Sequence, residues 1–543
     1  MNENATHEVT NQAPPIPDHD AFGADPWLGE AVARADLGSM VSTASVLGRF
    51  VGSAEGLHHA ELANRHTPEL RTHDRFGRRV DEVEYHSSYH VLMARALTSG
   101  VHSVAWKRGS GGFSAHALLF YLWNKLEQGT ACPVTMTFAS IPIFANAPDV
   151  ERHWRPKVLT DAYDPRPLPW HRKEAVTIGM AMTEKQGGSD LRSVQTQAAP
   201  DVNGFRLTGH KWFCSAPRSD AFFTLARLPE GVTCFFVPRS LDDGTRNAFL
   251  IQRLKDKCGN RSNASSEIEY RDTWAWLVGE KGRGISTLIE MAHHTRFDIV
   301  VGVAGMMRAA LDSAIHHARY REAFGKRLEE HALMANVLAD LALETEAAML
   351  LAFRLAEAFD HASAGNRREA ELQRILTPIA KYWLCKRVTP VALEAMECLG
   401  GNGYVEESPA ARLYREAPLN GIWEGSANVI CLDVLRALSR SGDALAVLAD
   451  EIAGARDPRL ARLVERAARQ LADPATAEPG ARSIVECLAT CMQASLMKRF
   501  SDPSAGEAFC VSRCEAPLGA RALGTLPANT DFRTIVERAR LRI

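Results

Sequence analysis

The sequence predicts a multi-domain α+β protein: a helical region, a compact β-domain, a second helical region and a further helical segment at the C-terminus. Three observations carry this reading. Apolar residues recur at three and four between Leu28 and about Ala175, as in Leu92, Ala96, Leu97 and Val101, then Ala115, Leu118, Leu119 and Leu122. Between about Thr177 and Leu277 the period falls to two, in short runs parted by Asn-Gly, Pro-Glu-Gly and Asp-Asp-Gly turns. From Ile285 to about Ser439 the helical period returns.

Taken in order, residues 1–25 are polar and proline-bearing and read as an extended arm, of a kind that is more often disordered than functional, though in oligomers it can lie across a neighbour. Residues 26–176 form the first helical domain. Residues 177–284 form the β-domain, whose strands centre on Phe205–Leu207, Phe222–Leu225, Cys234–Val237 and Ile268–Tyr270. Residues 285–440 form the second helical domain, with long helices over Val301–Ala323, Leu333–Ala358 and Ala370–Leu399. Residues 441–543 are an additional helical domain. A chain of 543 residues exceeds what one core supports, so roughly two to four domains are expected.

Composition narrows the function classes. A net charge of −2 gives no global attraction to nucleic acid, so any such surface must be local. Eleven cysteines in a chain this long are not a disulfide framework, no signal peptide opens the sequence, and no run of 18 or more apolar residues appears. A cytoplasmic protein with no membrane partner is expected. Cys487 with Cys491 and Cys510 with Cys514 stand four apart, but no histidine lies near and no His-Glu-x-x-His pattern occurs, so buried thiols are expected and no metal.

Three blocks carry chemistry. Met182–Asp190 (MTEKQGGSD) follows the apolar run Val176, Ile178 and Met180, and its glycines Gly187 and Gly188 let backbone N–H groups approach a flat polar ligand. Thr183 and Ser189 add short donors. A glycine pair alone also fits a plain turn. Trp212–Asp220 (WFCSAPRSD) and Asn420–Asn428 (NGIWEGSAN) follow. In this order the blocks resemble the flavin site of the acyl-CoA dehydrogenase family, whose domain order also runs helix, strand, helix.

That resemblance implies FAD, held by Met182, Thr183, Gly187, Gly188, Ser189, Phe213, Cys214, Ser215, Trp423, Gly425, Ser426 and Asn428. It implies that Arg321, in the Arg-x-x-Phe-Gly turn after a long helix, reaches the pyrophosphate of a neighbouring subunit's flavin; alone, the motif fits a surface ion pair on a helix end better. A guanidinium suits this task because its planar fork pairs phosphate oxygens. The turn Gly400, Gly401, Asn402, Gly403 resembles the one that holds the adenosine half across the same interface, although Gly-Gly-x-Gly is also an ordinary helix stop. Glu424 matches the base that removes the α-proton of an acyl thioester. A carboxylate does so when desolvation lifts its pKa, and Ile422 and Trp423 are candidates for an apolar wall. A solvated glutamate heading a helix is the plainer alternative. In a family variant the base precedes an arginine, here Arg296, but that position is Thr295 and cannot serve. Ser189, Ser215 and Arg296 are the candidate substrate contacts. Trp423 stands where tyrosine is usual and would narrow the acyl cavity, and His331 stands where glutamine is usual.

The tail extends the resemblance. It is rich in arginine, with Arg456, Arg459, Arg462, Arg466 and Arg469 at helical spacing, nearly balanced by acids; a solvated amphipathic domain is the plain reading. The whole chain, including CPVTMTFA (132–139), LKDKCGNRSNAS (254–265) and CLDVLR (431–436), closely resembles the AidB-like DNA-alkylation-response flavoproteins of bacteria. That implies a homotetramer that binds double-stranded DNA and guards it from alkylating agents, with weak acyl-CoA dehydrogenase activity. Its small-molecule partner would be acyl-CoA-like or alkylating. Arg436, and either Arg513 or Arg521, are the implied DNA contacts. The alternative is a metabolic acyl-CoA dehydrogenase for branched or short chains whose tail builds an oligomer interface.

Overall fold

The computed structural model describes residues 6–440, 442–515 and 530–542. It divides into two compact units, Glu55–Ile299, and Met1–Ala54 with Val300–Ile543. The division differs from the expected one, because the arm and the first two helices belong with the C-terminal helices and the tail is not a separate body.

In the unit Glu55–Ile299, helix α3 (Ala54–Arg65; α1 and α2 precede it) leads into a hairpin of β1 (Glu69–His73) and β2 (Arg79–Glu84), paired antiparallel with a bulge between Arg71 and His73. The sequence does not predict this hairpin. Its alternation is carried by few apolar residues (Leu70, Val80, Val83) among charged ones, so the period-two signal is weak. Helices α4 (Ser87–Thr98), α5 (Gly112–Leu126), α6 (Ala131–Ala139) and α7 (Pro148–Val158) follow. Helix α5 is apolar on all sides and almost wholly buried, as such a helix must be.

The β-domain comprises β3 (Ile178–Ala181), β4 (Gln197–Asp201), β5 (Gly204–Ser215), β6 (Ala221–Leu228), β7 (Gly231–Pro238), β8 (Phe249–Leu254) and β9 (Ser265–Val278). Strands β6, β4, β5, β9 and β7 pair in a ring, with β3 added to β6 and β8 to β9. Phe222, Phe235, Phe249, Ile251 and Tyr270 fill its interior. The strands expected from alternation are all present. Strands β4 and β8 lie beyond that expectation; in β4 the only apolar residue on the inner face is Ala198.

In the other unit, α1 (Pro26–Arg34) and α2 (Val41–Val51) follow the arm. Helix α8 (Gly284–Tyr320) supplies its residues from Val300 onward. A short hairpin of β10 (Glu322–Ala323) and β11 (Lys326–Arg327) follows, then α9 (Ala332–Ser363), α10 (Arg367–Cys398), α11 (Pro409–Glu416) and α12 (Ala427–Arg440). The three long helices read from the sequence match α8, α9 and α10 to within a few residues, except that α8 begins well before Val301. Helix α8 alone, among the described residues, is long and apolar enough to cross a membrane, and 83% of its most apolar stretch is buried inside the protein.

The tail adds α13 (Ala444–Ala453), α14 (Pro458–Ala472), α15 (Ala481–Phe500), α16 (Pro503–Cys510) and α17 (Phe532–Ala539). Helix α15 packs on α9, α10 and α12, burying Ile484, Leu488, Cys491 and Met492. Arg354 of α9 donates to both oxygens of Glu369 (2.9 Å each) and of tail residue Glu451 (3.0 Å each). Wholly buried Arg308 of α8 reaches Asp25 (3.4 Å) at one end of the chain and the Ala539 carbonyl (2.7 Å) at the other. The tail is therefore part of this unit's core, and ending the chain near Ser439 would strip that core. Cys487, Cys491, Cys510 and Cys514 are buried thiols. Among the described residues, no group of three or more His, Cys, Asp or Glu side chains is placed to hold a metal ion.

Where it is described, the arm lies along its own chain. Asn11 pairs with Glu322 through both its side-chain atoms (2.8 and 2.7 Å), and the Pro14 carbonyl meets His316 Nε2 (2.7 Å).

Candidate active site

In the β-domain, β3 ends in the loop Met182–Asp190. Glu184 and Gly187 exchange backbone hydrogen bonds (3.2 and 3.0 Å), which closes a tight turn with Gly187 at φ +149°. A Cβ on Gly188 would stand 2.3 Å from Thr183 Oγ1, so only glycine lets the loop fold back on Thr183. The loop is anchored by Glu184, a residue the sequence analysis does not single out. Its buried carboxylate accepts from Lys211 Nζ (2.7 Å), Thr196 Oγ1 (2.6 Å), and the N–H groups of Gln195 (2.7 Å) and Thr196 (3.2 Å). Burial alone would raise this carboxyl, but the Lys211 charge and these donors prevail and hold it at about 2. Burial lowers the Lys211 ammonium to about 8. A signal for the pair exists in the sequence: a lysine facing inward on β5, two residues before Phe213, has to find a carboxylate.

The Trp212 N–H donates to the Thr183 carbonyl (2.8 Å), so β5 and the loop are joined. The pairing of β5 with β9 slips between Lys211 and Cys214, and in this bulge Phe213 turns outward, 51% exposed. Lys255 Nζ sits 3.3 Å from the centre of the Trp212 ring and 4.7 Å from that of Phe213. Ser215 Oγ lies 3.4 Å from Ser265 Oγ. Met182, Thr183, Gly188 and Ser215 are partly buried, while Gly187 and Ser189 are exposed. Cys214 corrects the expectation: its side chain points into the core, and burial raises the thiol to about 12, so only its backbone can face a ligand. Arg296 is half-buried on α8, and the Thr295 hydroxyl donates to the Ala292 carbonyl (3.1 Å), which leaves that position structural.

In the other unit, Glu424 stands just before α12 at φ +56°. A glutamate in the left-handed region costs about 1–2 kcal/mol, and such strain persists where function requires a side chain that glycine lacks. The partly buried Trp423 keeps its indole N–H without a partner among the described residues. Ile422 is 65% exposed and, contrary to expectation, forms no wall within this chain. Gly425, at φ +108°, turns its carbonyl to the Lys381 ammonium. Ser426 is exposed, and Asn428 Oδ1 accepts from Arg482 Nε of the tail (2.8 Å).

Arg321 opens the turn after α8, where its guanidinium donates to the Asn11 carbonyl and forms no ion pair among the described residues. Gly400, at φ +60° and ψ −143°, adopts a conformation that suits glycine. Gly401 is exposed, and a Cβ on Gly403 would stand 2.4 Å from the Met396 carbonyl. Asn402 reaches Gln12 of the arm (3.4 Å), so consecutive arm residues touch both the arginine and the glycine turn. His331 Nε2 meets the Ala323 carbonyl (2.9 Å), which fixes the hairpin.

The tail arginines divide in two. Arg459 is held by Asp457, Glu507 and Glu515, so it leaves the expected cluster. Arg513 corrects a second expectation: it is buried against α9, bonded to Asp340 and to Glu344 (2.9 Å), and cannot present its charge to a duplex. Arg521 lies outside the described residues. Arg436, Arg462, Arg466 and Arg469 are exposed and form no ion pair among the described residues.

Comparison with known proteins places this arrangement. The AidB N-terminal domain model matches residues 11–165, the acyl-CoA dehydrogenase middle domain residues 179–273 and the C-terminal domain residues 282–439. AidB of Escherichia coli (strain K12) is 44% identical over 512 residues, which cover 93% of this chain and 94% of that one. The chain belongs to the AidB family of acyl-CoA dehydrogenases. Two solved structures share its fold over nearly the whole length: the Bd2924 apo-form (TM-score 0.84, 27% identity, 91% of this chain and 100% of that one), and Caenorhabditis elegans ACDH-11 in complex with C11-CoA (TM-score 0.86, 25% identity, 95% of each). The protein is thus an FAD-dependent, acyl-CoA dehydrogenase-like oxidoreductase.

The residues present fit that cofactor. Within the β-domain, an outward aromatic in a strand bulge and a loop with no room for a Cβ at Gly188 beside Thr183 suit the approach of a flat, polar ligand. FAD, when bound, supplies the hydride acceptor. If Arg321 serves the flavin as the family resemblance implies, Arg321→Ala should shed flavin as well as free the arm at Asn11. Unchanged flavin absorbance would remove Arg321 from the cofactor site.

Proposed function

We propose that this oxidoreductase binds double-stranded DNA in the cytoplasm as a homotetramer, protecting it during the alkylation-damage response, and that its acyl-CoA dehydrogenase activity is weak. One observation carries the reading: Arg436 on α12 and Arg462, Arg466 and Arg469 in the tail are exposed and without carboxylate partners among the described residues, while Arg459 and Arg513 are consumed in ion pairs. The identity to AidB covers 93% of this chain, which includes most of that tail, and supports it. Arg462, Arg466 and Arg469 follow at steps of four and three, on one side of α14 and away from buried Leu460, Leu463 and Ala467. Four-fold repetition in a tetramer would let several weak patches engage one duplex. Contacts of this kind go to phosphates and tolerate any sequence.

Within the flavin site, Glu424 takes the α-proton of an acyl thioester, and Ser189, Ser215 and Arg296 position the substrate. The likeness to ACDH-11 in complex with C11-CoA favours an acyl-CoA-like small molecule over an unrelated alkylating agent. It is also the observation that keeps the metabolic reading as the second one.

The DNA reading is tested by mobility shift of a generic duplex with the full chain, wild type against a variant carrying glutamine at Arg436, Arg462, Arg466 and Arg469. The variant should bind at least about tenfold more weakly for all duplex sequences, with flavin content unchanged. Arg513→Gln serves as the contrast. It takes the arginine from Asp340 and leaves Glu344 with Arg387 alone (3.0 Å), so it should lower stability by about 3–5 kcal/mol in urea unfolding and leave duplex affinity of the folded fraction intact. Equal shifts by wild type and the four-fold variant would sink the DNA reading and leave the metabolic one.

A further inference from the structure

The unit Glu55–Ile299 contains a cavity of about 500 Å³ that none of the residues assigned above to flavin, base or DNA lines. It lies between the β1–β2 hairpin, the segment 163–169 and the loop 216–220 that follows β5. Its volume is that of a small-molecule site.

The charges around it are informative. Asp81 takes Arg79 (3.1 Å) and Arg246, Asp164 takes Arg166 (2.7 Å), and Asp220 takes Lys173 (2.7 Å). Glu82 and Glu84 are engaged by Arg71, which does not line the cavity. Two cations are left over. Arg218 donates only to the carbonyls of Val83 and Pro165, and Arg239 to those of Pro217 and Asp81. Neither has an ion pair among the described residues. Arg239 Nε and the Ser219 hydroxyl are buried donors with no hydrogen-bond partner among the described residues. Burial and then the neighbouring Arg246 lower the Arg239 guanidinium to about 10, although Asp81 and Asp220 act the other way. One wall is aromatic: Tyr85 and Tyr89 stack at 4.0 Å between ring centres, and Tyr163 bonds His90 (2.8 Å) beside them.

We propose that this cavity binds a small aromatic oxyanion, its phosphate or carboxylate head held by Arg218, Arg239 and Ser219, and its ring laid against Tyr85 and Tyr89. Two guanidiniums and a hydroxyl suit such a head because charge-assisted hydrogen bonds in a partly dehydrated site are strong and directional. The stacked tyrosines offer a flat apolar surface of ring size.

The test is calorimetric titration of the flavin-loaded protein with phenyl phosphate, and with benzoate, inorganic phosphate and benzyl alcohol to separate head from ring. Saturable binding of phenyl phosphate or benzoate is expected, tighter than either inorganic phosphate or benzyl alcohol. Arg218→Gln should weaken it at least about tenfold, the effect of losing about 1.4 kcal/mol of charge-assisted bonding. Because Arg218 also ties Val83 to Pro165, Ser219→Ala provides a second variant that removes a donor and leaves those ties alone; it should weaken binding several-fold with flavin absorbance unchanged. Absence of saturable binding by both aromatic anions, or equal affinity in wild type and both variants, would overturn the proposal.

Discussion

Glu424→Gln is expected to lower the rate of flavin reduction by an acyl-CoA by about 10²–10⁴-fold while the protein keeps its flavin and its fold, because an amide has the shape of the carboxylate but cannot accept the proton. Stopped-flow bleaching of the flavin band reads the rate, and the absorbance ratio of flavin to protein reads the occupancy. The backbone supplies an independent check. Glu424 is held at φ +56°, a conformation that glycine adopts freely and glutamate does not. Glu424→Gly should therefore raise stability, by up to about 1–2 kcal/mol, while abolishing turnover. If the glycine variant instead unfolds more readily, the left-handed turn is not strained and the argument from strain to function fails. Retained reduction rate in Glu424→Gln would place the base elsewhere.

The second large effect is on stability. Glu184→Gln leaves the Lys211 ammonium buried among apolar strands without its counter-charge, and breaking one partner of such a pair costs about 3–5 kcal/mol. Flavin should be lost as well, since the same carboxylate binds the Gln195 and Thr196 N–H groups that shape the loop. Adding Lys211→Met should recover most of the stability, because the pair is then replaced by an apolar side chain. Failure of the double variant to recover would mean that the backbone hydrogen bonds, not the charge, dominate. The pair also fixes an acid limb. The folded Glu184 carboxyl, at about 2, lies below its ordinary value of 4.5, so its contribution is full above about pH 4.5 and is lost as pH falls toward 2. Glu344 and Glu451, likewise held at about 2 against burial by arginine partners, act in the same direction and window. Urea midpoints measured between pH 6 and pH 3 should fall steeply, and less steeply in Glu184→Gln.

Much of the fold and the candidate site is legible in the sequence for a physical reason. The helices α8 to α10 are long and strongly periodic, and the turn blocks at Gly187–Gly188, Gly400–Gly403 and Glu424–Gly425 need the glycines they contain. What escapes reading is what depends on tertiary partners. The β1–β2 hairpin is too charged to show alternation, although it walls a cavity. Arg513 and Arg436 look alike in sequence. Only the fold shows that the first meets Asp340 and Glu344 inside the protein and the second meets solvent. Helical spacing alone puts Arg459 on a basic face, yet Asp457, its own helix cap, and Glu507 neutralise it. Glu184 sits inside the most conspicuous block, but its role is hidden in the sequence because its partner Lys211 is 27 residues away.

The proposal that one chain joins flavin chemistry to duplex binding is tested most directly by the salt dependence of duplex affinity. Fluorescence anisotropy would be measured for wild type, for Glu424→Gln and for the variant with glutamine at Arg436, Arg462, Arg466 and Arg469. Each phosphate neutralised contributes about −0.9 to the slope of log affinity against log salt. Wild type and Glu424→Gln should share one steep slope, and the four-fold variant should show a slope flatter by roughly one for each arginine–phosphate pairing it can no longer make. Identical slopes for all three, or no measurable binding by wild type at low salt, would contradict it.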